Sequence, residues 1–161
     1  MSQRDECFGG REEHDWFSLA EVGFFLILIG AILVITPKII DQVKAFVEDC
    51  ASHPTQVYQD IYLPAPTAPH FEVYSAIMYF CLAFGVFQIV ILVLRFAQNS
   101  PVSKKAGTLG GIVFWLGAGI LASMLVTEGS AKWFFFIGGL IVLIGLSIIV
   151  RSLASLLAQP R

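Results

Sequence analysis

Four long apolar runs divide the chain, Leu19 to Thr36, Val73 to Leu94, Leu109 to Thr127 and Trp133 to Val150, separated by polar or proline-rich connections. A helix needs about 20 apolar residues to cross roughly 30 Å of hydrocarbon. The second run, VYSAIMYFCLAFGVFQIVILVL, reaches that length without a charged side chain. The pattern predicts four membrane-spanning helices. Between the first two runs the pattern changes. Ile39, Ile40, Val43, Phe46, Val47 and Cys50 recur at helical spacing on one face, with Lys38, Asp41, Gln42, Lys44, Glu48 and Asp49 on the other. This segment is too short and too charged to span. It predicts an amphipathic surface helix whose apolar face meets lipid, the bundle or a partner. The expected fold is all-α: a polytopic membrane protein with four transmembrane helices and one surface helix.

Boundary residues sharpen the elements. Ser18 and Glu21 have capping-box spacing, in which hydroxyl and carboxylate satisfy orphan amides at a helix start. Thr36-Pro37 and Ser100-Pro101 each offer a cap followed by a proline at the tolerated first helical position. Pro54, Pro64, Pro66 and Pro69 forbid a long helix between Ala51 and Glu72 and allow a short extended piece over Val57 to Leu63. Glu128-Gly-Ser-Ala-Lys132 predicts a tight turn, and the tail from Ser152 to Arg161 can add helical turns before Pro160. Residues 1–15 are polar, with mixed charge and a Gly-Gly break, and predict a disordered tail. Without a positive lead-in, the first apolar run is expected to be a retained helix and not a secretory signal. Residues 16–161 then form one transmembrane domain, with 37–72 as its extramembrane module.

Composition supports this picture. The 161 residues are 57% hydrophobic and 14% charged, and mean hydropathy is +0.77. Of the acidic residues, only Glu21 falls within a run, as expected when a charge at the bilayer centre costs about 2.5 to 3.5 kcal/mol. Arg4, Arg11, Arg95, Lys104, Lys105, Arg151 and Arg161 fall on one side of the four-helix topology, and Lys38, Lys44 and Lys132 on the other. The positive-inside rule then predicts both termini in the cytoplasm of a cell-membrane protein, with the acidic, proline-rich module outside. A net charge of -2 and the absence of a basic face give no reason to expect nucleic acid. The three cysteines, Cys7, Cys50 and Cys81, are scattered over three compartments, so no internal disulfide is expected.

Candidate chemistry is sparse. Asp49-Cys50-Ala-Ser-His53 puts a thiol and an imidazole three residues apart, but two ligands do not make a metal site. No nucleophile and base are paired, so no catalytic residue and no cofactor are expected, and an enzyme is not. The polar groups inside the runs are Glu21, read first as a cap and alternatively as an ion site, and Gln88, read as an interhelical hydrogen bonder. Glycine carries more information. Gly107 and Gly111 have GxxxG spacing, and Gly119 with Ser123 extends a small-residue stripe suited to close helix packing. Gly23 and Gly30, Ala76 and Ala83, and Gly138 and Gly145 lie seven apart on the other runs. On the surface helix, Asp41, Phe46, Glu48 and Asp49 are candidate partner-docking residues.

The run IYLPAP followed by FGVFQIVILVLRF and by SPVSKKAG and IVFWLGAG resembles, as a whole pattern, small four-span archaeal membrane proteins. The resemblance implies an architecture and no activity. The sequence therefore points to a non-catalytic structural or accessory protein of the lipid bilayer that packs with itself or with a larger membrane complex. A small oligomeric channel or transporter is the alternative.

Overall fold

The computed structural model describes residues 16–58 and 60–157. The tail predicted over 1–15, with Cys7 and His14, lies outside the described residues, as do Gln59 and the final residues around Pro160. Helix α1 (Trp16–Ile35) leads through a turn to α2 (Ile39–Ser52), then to strands β1 (Pro54–Tyr58) and β2 (Ile61–Pro64). Three long helices follow: α3 (Phe71–Ala97), α4 (Val102–Glu128) and α5 (Trp133–Leu157).

Three stretches are long and apolar enough to cross a membrane: Trp16–Ile35, Phe71–Ala97 and the 56 residues of Val102–Leu157. The last comprises α4 and α5 joined by one 3-10 turn, Gly129–Lys132. The β1–β2 hairpin adds to the all-helical expectation. Its antiparallel register runs from Pro54 opposite Pro64 to Tyr58 opposite Ile61, with an irregularity between Gln56 and Tyr58. The single extended piece expected here is thus folded back on itself, with prolines at the open end where a missing amide does not interrupt the ladder.

Two boundaries differ from the capping expectation for the same reason: backbone groups reach the helix ends first. The Ile39 amide donates to the Thr36 carbonyl at 2.9 Å, so α2 starts two residues beyond Pro37. At the end of α3 the Ser100 amide donates to Arg95 O at 3.0 Å and the Asn99 amide to Phe96 O at 3.2 Å. Asn99 sits at φ 51, completing a Schellman stop in which asparagine tolerates the left-handed region. Ser100 thus closes α3, and Pro101 precedes the first residue of α4. The α4–α5 turn depends on Gly129, whose φ of 67 and ψ of -152 fall in a region open essentially to glycine.

The long helices pack in chain order, each against the next, and the α3–α4 contact is the most extensive. Close approach is made by glycines facing large side chains. Gly85 meets Leu116 and Gly119 meets Leu82, where an added Cβ would come within 2.6 Å of the leucine Cδ2 in both cases. Gly110 lies against the α5 backbone, its Cβ position 2.9 Å from Ser147 O. Gly117 faces Leu143, and Gly139 faces Leu121, which makes α4 and α5 an antiparallel hairpin. Aromatic rings carry the α1–α3 seam. Phe24 stacks on Phe87 at 3.9 Å between centroids, and Phe25 meets Phe80 edge-on at 5.2 Å. Trp115 continues the cluster across to α4, 5.0 Å from Phe84.

The most buried cluster, Tyr74, Ala122, Leu125 and Phe136, sits at the α2 end of the bundle, under Phe46, Met78 and Trp133. The flanking helices are far more open. No residue of α1 is fully buried, and Phe136 is the buried residue of α5. Their outward surfaces are hydrocarbon, including Leu26, Val34, Ile141 and Val142.

Candidate functional site

The polar groups gather at two places, one at each end of the helices. At the α2 end the hub is Asp49, on the last turn of a helix whose inner face carries Phe46 three residues earlier. Below it runs Ala65-Pro-Thr-Ala-Pro-His70, a segment whose prolines keep it out of helix and sheet and so leave its amides free. Asp49 takes them up. Thr67 donates its hydroxyl to Oδ1 at 2.6 Å and its amide to Oδ2 at 2.8 Å, and the Ala68 amide donates to Oδ2 at 2.9 Å. His70 Nε2 lies 3.1 Å from Oδ2, and His53 Nδ1 lies 3.1 Å from Oδ1. An ionised carboxylate only accepts, so each ring nitrogen is the donor. The Thr67 hydroxyl, then the Ala68 amide, hold the carboxyl far below its ordinary value of 3.8. Burial and the neighbouring Asp49 charge push the Cys50 thiol up.

Phe46 anchors the same module by packing. Its ring meets His70 at 5.3 Å, Tyr74 at 6.1 Å and Trp133 at 5.5 Å, all edge-to-face. Trp133 Nε1 donates to Pro64 O at 3.2 Å, fastening the hairpin to the start of α5. Phe46 and Asp49 are therefore engaged within the chain. Of the four candidate docking residues, Asp41 and Glu48 remain outward and exposed. The apolar face of α2 also divides. Ile39 is buried and Phe46 and Cys50 are half-buried, whereas Ile40, Val43 and Val47 stay exposed. Among the described residues no three His, Cys, Asp or Glu side chains come together to hold a metal.

The opposite end is joined by Glu21 and Arg95. Arg95 Nη2 lies 3.4 Å from Glu21 Oε1, and Nη1 donates to Lys104 O at 3.1 Å. The guanidinium also sits over the Phe17 ring, 5.8 Å from its centroid. Arg95 is almost wholly buried, and its pairing draws α1, α3 and the start of α4 together. Because α1 is already helical at Trp16, Ser18 is an interior residue and not a cap. Glu21 reaches across to Arg95 of α3.

Gln88, buried between α3 and α4, presses Oε1 against Gly111, where an added Cβ would collide with it. That oxygen has no hydrogen-bond partner among the described residues. Of the predicted packing stripe, Gly111 and Gly119 lie in the α3 contact. Gly107 faces open space, and Ser123 turns its hydroxyl to the Ile120 carbonyl. Gly85 and Gly139 also line helix contacts, though no short glycine motif marks them.

Comparison with protein-family models, with curated proteins and with solved structures finds no match to the chain.

Proposed function

We propose that the protein is a multi-pass membrane protein of the cell membrane, crossing four times, with both termini cytoplasmic and a structural or accessory role. It packs laterally with its own copies or with a larger membrane complex. Four crossings are supported by the antiparallel α4–α5 hairpin, whose arms of 27 and 25 residues each exceed the roughly 20 needed. The orientation is supported by basic residues at the two ends, with Arg95, Lys104, Lys105 and Arg151 opposite Lys38, Lys44 and Lys132.

The observation that carries the role is the state of the outward glycines. Gly23 and Gly30 on α1, and Gly138 and Gly145 on α5, would meet nothing within 4 Å if given a Cβ. Each costs its helix about 1 kcal/mol relative to alanine and returns no close contact with the described residues. Gly138 and Gly139 line an apolar groove of about 710 Å³ beside α4, edged by Phe134 and Phe135 and open to the side. A neighbouring helix can enter such a groove closely. The two groups on which conduction would depend are committed elsewhere, Glu21 to Arg95 and Gln88 to the α3–α4 seam, which favours packing over transport.

Mild-detergent purification followed by native mass spectrometry tests the reading. A defined oligomer or stoichiometric partners are expected, and Gly138→Leu with Gly145→Leu should reduce the assembly. A monomer with no partner, in native membrane discs as well as in detergent, would overturn it.

A further inference from the structure

Between the end of α1 and the start of α2 runs a groove of about 310 Å³. Ile29 and Leu33 of α1 form one wall and Ile39, Ile40 and Val43 of α2 the other, with Lys44 at the edge. Every wall side chain is hydrocarbon, and the one charged group is a cation. Lys44 makes no ion pair among the described residues, although Asp41 and Glu48 share its helix. Asp49, five residues beyond Lys44, is taken up by the loop and histidines.

We infer that this groove binds one anionic phospholipid, an acyl chain between α1 and α2 and the headgroup phosphate at Lys44. Depth supports the assignment. Ile29 lies six residues before the end of α1, about 9 Å along the helix at 1.5 Å per residue, so the groove descends from the membrane surface into the hydrocarbon. Lys44 then stands at headgroup level, its methylene stem along the groove and its ammonium outward. The exposed stripe Ile40, Val43 and Val47, at 56%, 42% and 57% of full accessibility, continues the apolar surface along a helix lying in the interface. A hydrocarbon slot with a single cation at its mouth matches a negatively charged amphiphile better than a neutral one. The inference rests on α1 crossing the membrane and is independent of the accessory role, because a bound lipid is counted per chain whatever the assembly.

The test uses the full-length protein in two formats. In native mass spectrometry with added phosphatidylglycerol or phosphatidylcholine, one retained phosphatidylglycerol per chain is expected, and Lys44→Gln should weaken its retention about fivefold while leaving phosphatidylcholine unchanged. In phosphatidylcholine vesicles, a Val43→Trp variant should be quenched more strongly by acyl-brominated phosphatidylglycerol than by the same fraction of acyl-brominated phosphatidylcholine. Equal retention of both lipids, with no effect of Lys44→Gln, would overturn the inference. So would shielding of Trp at position 43 from both brominated lipids in a dimer, since a second copy would then fill the groove.

Discussion

Asp49 and His70, 21 residues apart in sequence, are joined at 3.1 Å between Oδ2 and Nε2, tying the end of the surface helix to the residue that precedes α3. With Thr67 and Ala68 donating to the same carboxylate, this one side chain determines the path of the proline-rich segment. Asp49→Asn keeps the shape but replaces one acceptor with a donor. Hydrogen exchange at the Thr67 and Ala68 amides should accelerate in that variant, with exchange in the middle of α3 unchanged.

The same carboxylate predicts an acid response. Its value is lowered in the folded protein, so its contribution is complete above the ordinary carboxylate value of 3.8 and is lost as pH falls through the lower folded value. Protection of the Thr67 and Ala68 amides, corrected for intrinsic exchange, should therefore hold at neutral and mildly acid pH and decline in strong acid. The decline should be absent in Asp49→Asn.

Phe46 is the apolar counterpart of that tie. Phe46→Ala should destabilise the α2 module by about 1.5 to 3 kcal/mol, nearer the lower figure because the ring is half-buried. Amides of α2 should lose protection while those of α3 and α4 keep it. Loss of protection throughout would show that α2 is needed for the whole bundle.

Two glycines separate packing from helix propensity. Gly110→Ala places a methyl against the Ser147 carbonyl, a backbone atom that cannot move aside, and overpacking of this kind costs about 1 to 3 kcal/mol. Gly107→Ala meets nothing and should be neutral or stabilising by up to about 1 kcal/mol. Melting in detergent should order the three proteins Gly110→Ala lowest, wild type next, Gly107→Ala equal or highest.

Cys50 reports the proposed topology. An impermeant maleimide should label it in intact cells and leave Cys7 unmodified. Because the thiol is pushed up, labelling should be slower than for an exposed cysteine and accelerate with rising pH. Labelling of Cys7 instead would reverse the orientation.

The long helices were readable because a charge-free apolar run of bilayer length has few other physical outcomes. The side of α2 that docks was not. Hydrophobic spacing groups Ile39 with Ile40, Val43 and Val47, yet bundle and lipid are both apolar, so the pattern cannot divide the face between them. The Asp49 site was illegible for another reason. Apart from His53, its partners come from an irregular segment 18 to 21 residues away, where no period relates them. Glu21 shows local spacing giving way to tertiary contact: the capping box was present, but the buried Arg95 guanidinium offered a charged partner from a helix 74 positions on.

Each long helix lies beside the next one made. In the proposed four-span topology, a chain inserted from its N-terminus adds each helix to one already placed: α3 finds α1, α4 finds α3, and α5 folds back on α4 through a turn of a few residues. Removing α5 should leave three helices able to associate, whereas removing α3 would strand those on either side.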